Sequence, residues 1–106
     1  MLIRQGDVLL VPVSQPTASQ PVPRRHGRLV LATGELSGHA HAIADDHAEL
    51  VTAEGAAQLF LLVPGTPATL THEEHTPLTV PPGAYRVVRQ REYDPVAAEA
   101  ERYAYD

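Results

Sequence analysis

Two short stretches hold four of the six histidines of this chain: His39 and His41 in "GHAHAI" (38–43), and His72 and His75 in "THEEHTPL" (71–78). An imidazole can carry a metal ion, move a proton near neutral pH, or accept and donate hydrogen bonds inside a fold. The spacing narrows these uses. Side chains alternate along a strand, so an extended "GHAHAI" sends His39, His41 and Ile43 to one face and Ala40, Ala42 and Ala44 to the other. Ile43 favours burial, which makes the imidazole face the inward one and requires partners for both rings. On a regular strand through "THEEHTPL", His72, Glu74, Leu78 and Val80 share a face, whereas a one-residue register shift at Pro77 sends Glu73 and His75 inward instead. Either register brings an imidazole inward with a carboxylate close by, the pairing that fixes a histidine tautomer or completes a metal shell.

The chain contains no cysteine, so His, Asp and Glu are its only strong metal ligands. If the two stretches meet, His39 and His41 with His72 or His75 form a site for zinc, iron, nickel or manganese. A helical H-E-x-x-H site is excluded by spacing, and Thr71, Thr76 and Pro77 disfavour a helix there. A bound divalent ion would generate hydroxide or polarise a carbonyl or phosphoryl oxygen. The expected catalytic partners are Glu74, as the carboxylate beside the rings, and Arg86, as a planar cation for a small anionic substrate. Arg86 shares a strand face with Val88 and Gln90, while Arg89 and Arg91 take the other. The reaction class expected for a metal centre is hydrolase or lyase.

Two other classes use the same residues differently. Without metal, His39 or His41 serves as acid and base, Glu74 or Glu73 orients it, and an arginine steadies a phosphate, as cleavage of RNA or a cyclic nucleotide requires. Arg24, Arg25, His26 and Arg28 then supply backbone contacts. A net charge of −5 argues against a long nucleic acid, leaving a short oligonucleotide or a nucleotide. In the third class the chain is a non-catalytic accessory module that binds a partner through its tail or an edge strand.

The strand boundaries follow from punctuation. Ten prolines and seven glycines break 106 residues into short apolar runs, the pattern of an all-β domain. The expected architecture is one domain, residues 1–106, a small antiparallel β-barrel or sandwich of about seven strands. Strands are expected at 7–13, 28–34, 39–44, 48–53, 57–63, 68–80 with a bend near Pro77, and 84–93. Residues 14–27 read as a long Pro-rich loop. Asp94 as cap, Pro95 in the first helical position and "VAAEAERY" predict a short helix in the tail, 94–106, as a lid or a homo-oligomer contact. No 18-residue apolar run or signal peptide is legible, so the default expectation is a cytoplasmic protein with no membrane contact.

A glycine shortly before H-x-H, an acidic residue just after, and a later P-x-G turn ("PPG", 81–83) entering a strand resemble the cupin superfamily. That resemblance implies a double-sheet β-barrel with a metal on three histidines and a glutamate. His39 and His41 would be the first two ligands, and Asp45 or Asp46 would stand for the glutamate. The pattern departs where Arg86 occupies the last histidine's position and Gln90 that of an asparagine. The strings "RQGDVLL", "GELSGHAHAI" and "HEEHTPLTVPPGAYRVVRQREY" also resemble short bacterial and phage-associated proteins to which no activity is attached. "IRQGDVLLVPV" alone suggests a small open barrel of co-chaperonin type, which would hold no metal.

Overall fold

In the computed structural model, which describes residues 1–17, 19–34, 37–53 and 58–90, two antiparallel sheets pack face to face as a sandwich and do not close into a barrel. The larger sheet runs in the order β1 (Ile3–Gln5), β2 (Val8–Val13), β10 (Gly83–Arg89), β7 (Gln58–Val63), β6 (Glu49–Ala53), β3 (Gln20–Pro21). The smaller runs β4 (Leu29–Thr33), β5 (Ala40–Ile43), β8 (Ala68–His72), β9 (His75–Val80).

Alternation builds the core. Val8 and Leu10 of β2, Leu61 and Val63 of β7 and Tyr85 of β10 meet Leu29, Ile43, Leu70 and Val80 from the other sheet in one buried cluster. Each fully buried aliphatic side chain there contributes about 1.5–3 kcal/mol relative to exposure. Tyr85 keeps its hydroxyl satisfied by donating to the Pro81 carbonyl at 2.6 Å. Val51, Ala53 and Phe60 form a second buried cluster, joined by Val13 and Leu62.

The expected strands are present, with three corrections. The stretch expected as one strand over 68–80 is a hairpin, β8 turning into β9 at Glu73–Glu74, with His72 paired to His75. Pro77 lies inside β9 because β9 is an edge strand, where no donor is needed on the outer side. Within the 14–27 segment, Gln20–Pro21 pairs with β6. Ile3–Gln5 forms an extra strand that pairs with β2 through the turn at Gly6–Asp7. The helix expected at 94–106 lies outside the described residues.

Two register breaks shape the smaller sheet. Between Leu70↔Leu78 and His72↔His75 the partner sums drop by one, so β9 carries one extra residue at Thr76–Pro77. Between Val30↔Ala42 and Ala32↔His41 the extra residue is Leu31, on β4. Both breaks fall beside a histidine.

Candidate metal centre

The site is built where the β1–β2 turn faces one end of the smaller sheet. The pairing of β5 with β8, Ile43↔Leu70 and Ala42↔Thr71, extends by one step to set His41 opposite His72. The β8–β9 hairpin then sets His75 opposite His72. The four rings adjoin in consequence: His41 to His72 with centroids 4.2 Å apart, His72 to His75 at 4.6 Å, His39 to His72 at 5.6 Å and His41 to His75 at 5.8 Å. His41 is buried, His39 and His72 are half-buried and His75 is exposed. The sequence offered His72 or His75 as alternatives, and the hairpin brings both.

Among the described residues, one group of donors lies close enough to share an ion: His39, His72 and Glu73, whose ligating atoms are all within 4.8 Å of one another. Glu73 is oriented by the backbone N–H of Ala40, which donates to its Oε1 at 2.9 Å. That bond, first among several causes, holds the Glu73 carboxyl below the usual glutamate range. Glu74, on the other side of the turn, places Oε1 3.4 Å from His39 Nδ1 but is largely exposed. The Glu74 amide N–H donates to His72 Nδ1 at 3.0 Å, so in this arrangement the neutral His72 ring carries its proton on Nε2.

His41 has a different environment. Gln5 and His41 are the only buried polar side chains among the described residues, 3% and 4% exposed, and they bond to each other. Gln5 Nε2 donates to the carbonyls of Leu70 at 3.0 Å and Thr76 at 3.1 Å, the residues flanking the register break. Its Oε1 is then left for His41 Nδ1 at 2.9 Å. Across the ring, His41 Nε2 lies 3.2 Å from Asp7 Oδ1. Asp7 Oδ2 accepts from Arg89 Nε at 3.3 Å, and the same guanidinium reaches the Thr33 carbonyl.

Burial is the largest influence on the His41 ring and pushes its pKa down, reinforced by His72 and opposed by Asp7. Burial pushes Asp7 up, but the Arg89 hydrogen bond and charge outweigh it and keep the carboxyl below its ordinary value. A charged His41–Asp7 pair would need the protonated ring that burial disfavours.

Gly6 makes the close approach possible. Its φ is +59°, and a Cβ there would lie 2.7 Å from His75 Nε2 and 3.1 Å from His41 Cε1. A glycine as first residue of a two-residue hairpin turn is the pattern of type II′.

Arg86 lies elsewhere. It alternates with the core residues Tyr85 and Val87, is exposed, and is opposite Phe60 and Val11 of its own sheet. Arg89, on the inward parity, is the arginine that reaches the cluster through Asp7. Asp45, the carboxylate suggested by the cupin pattern, accepts from the Thr69 amide at 3.0 Å. His47 bonds to Thr66. Gln5 and Asp7 were not singled out from sequence, although a glutamine and an aspartate flanking a glycine in the run "LIRQGDVLL" were the available signal.

Residues 4–90 match the family model described as a domain of unknown function, DUF8820. The chain belongs to this family. The span shared with DUF8820 contains the four clustered histidines together with Gln5, Asp7, Glu73 and Arg89. No curated protein and no solved structure matches the chain.

Proposed function

We propose that this DUF8820 chain binds a divalent transition-metal ion through His39, His72 and Glu73. The observation that supports this reading is the convergence of those three donors, from the residue preceding β5 and from the β8–β9 hairpin, within 4.8 Å. Two imidazoles and a carboxylate suit zinc, iron, nickel or manganese. A set that is half-buried to exposed leaves coordination positions open to water and a ligand. Such a centre supports hydrolase or lyase chemistry on a small anionic substrate, with the ion as the electrophile and the source of hydroxide. The anion would be drawn by the ion itself, since Arg86 faces away from the rings.

The test is elemental analysis after equilibrium dialysis of untagged protein against each metal. The expected result is an ion retained by wild type and lost from Glu73→Gln and His39→Ala, because a three-ligand site loses most of its affinity with one ligand. Wild-type retention no greater than that of these two variants, for all four metals, would remove the reading.

A further inference from the structure

We propose that a second divalent cation binds between His41 Nε2 and Asp7 Oδ1, bridging the two sheets at a position that uses none of the His39, His72 and Glu73 donors. Gln5 decides which ring nitrogen of His41 carries the proton. Its amide is fixed, because both neighbours of Nε2 are carbonyl oxygens, of Leu70 and Thr76, and a flipped amide would set its oxygen against two acceptors. The oxygen facing His41 Nδ1 at 2.9 Å can only accept, so Nδ1 carries the ring proton. The neutral ring therefore presents a bare lone pair at Nε2.

That lone pair points at another acceptor. Asp7 Oδ1 is 3.2 Å away, and Arg89 on Oδ2 keeps the carboxylate ionised. Two lone pairs at this distance require a positive centre between them, a proton or a metal ion. A metal ion satisfies both lone pairs, and the Gln5 bond on the opposite nitrogen aims Nε2 at the position between them. With metal–ligand bonds of about 2.1 Å, a donor separation of 3.2 Å subtends about 100° at the ion, between tetrahedral and octahedral values.

Two further features fit. A metal-bound histidine ordinarily donates its other N–H to an oxygen acceptor, and the His41–Gln5 bond is that arrangement. The Asp7 side chain is 35% exposed, so the ion reaches the site from the turn and completes its shell with water. Arg89 occupies Oδ2 and leaves Asp7 a single oxygen to offer. With two protein donors, this is the weaker of the two positions and fills second.

The test is stepwise loading of untagged full-length protein with zinc, read by ion count and by ¹⁵N NMR of the His41 ring. Wild type should bind about two ions per chain, and Asp7→Asn and Glu73→Gln about one each, by removal of different sites. On loading, the His41 Nε2 resonance should move while Nδ1 stays protonated. A single wild-type ion that Glu73→Gln loses and Asp7→Asn keeps would overturn this proposal and leave the first site standing. An ion lost only in Asp7→Asn would support this site and remove the first. A His41 ring protonated on both nitrogens at neutral pH, with or without zinc, identifies the occupant as a proton and overturns the proposal. Should Asp7→Asn fail to fold, the wild-type NMR titration decides by the same criterion.

Discussion

Replacing Gly6 by alanine perturbs the site through backbone and packing at once, and the two parts can be separated. The backbone part comes from φ of +59°, a left-handed conformation that costs a residue with a Cβ about 1–2 kcal/mol. The packing part comes from the two rings that Cβ would meet. His75 Nε2, at 2.7 Å, is the far end of an exposed side chain and can swing aside. His41 Cε1, at 3.1 Å, belongs to a buried ring held at Nδ1 by Gln5, so the turn itself has to shift. Together the expected loss is about 2–3 kcal/mol, a fall in melting temperature of about 10–20 °C for a domain of this size. The assay is urea denaturation of wild type, Gly6→Ala, His75→Ala and the double variant. In the His75→Ala background most of the loss should persist, because His41 Cε1 still stands 3.1 Å from the added Cβ, so the coupling between Cβ and the His75 ring should be small. A Gly6→Ala loss below about 0.5 kcal/mol would mean that neither the left-handed turn nor the ring contact is real.

Gln5→Leu should destabilise by about 3 kcal/mol, because it leaves the Leu70 and Thr76 carbonyls and the His41 Nδ1–H without their partner in a buried position, and urea midpoints will measure it. The His41 pKa is depressed in the folded chain, so below about pH 6.5 the unfolded chain binds the extra proton; stability present above that value should fall as pH drops below it, with a shallower fall in His41→Asn. An ion on His72 must displace the Glu74 N–H from Nδ1, either by binding there or by binding Nε2 and moving the ring proton to Nδ1. Metal loading should therefore shift the Glu74 amide resonance and speed its hydrogen exchange, and an unchanged amide would exclude His72 as a ligand. Arg86→Ala should leave the histidine ring resonances unmoved, whereas Arg89→Ala should move those of His41 through Asp7.

The strands were legible because apolar alternation and Pro or Gly punctuation are local signals. The inward face shared by His41 and Ile43 followed from the same alternation. The hairpin at Glu73–Glu74 was hidden because its turn has neither glycine, asparagine nor proline, whereas the register shift near Pro77 was legible from the proline itself. Gln5 and Asp7 were hidden for another reason. Their meaning lies in partners 34 to 82 residues away, and no local pattern encodes which loop will meet which sheet. The choice between Arg86 and Arg89 was a matter of parity on β10, settled only once Tyr85 and Val87 are known to face the core.

The amide of Gln5 ties the first hairpin of the chain to the last strands of the smaller sheet, across 65 and 71 residues. Contacts of such sequence separation close large loops, at an entropic cost that slows folding. The histidine cluster is thus complete only when both ends of the domain are present and paired. A nascent or truncated chain that stops before Thr76 holds His39, His41, His72 and Asp7 without the lock that aims them, so metal binding with native affinity should mark chains that have completed the sandwich.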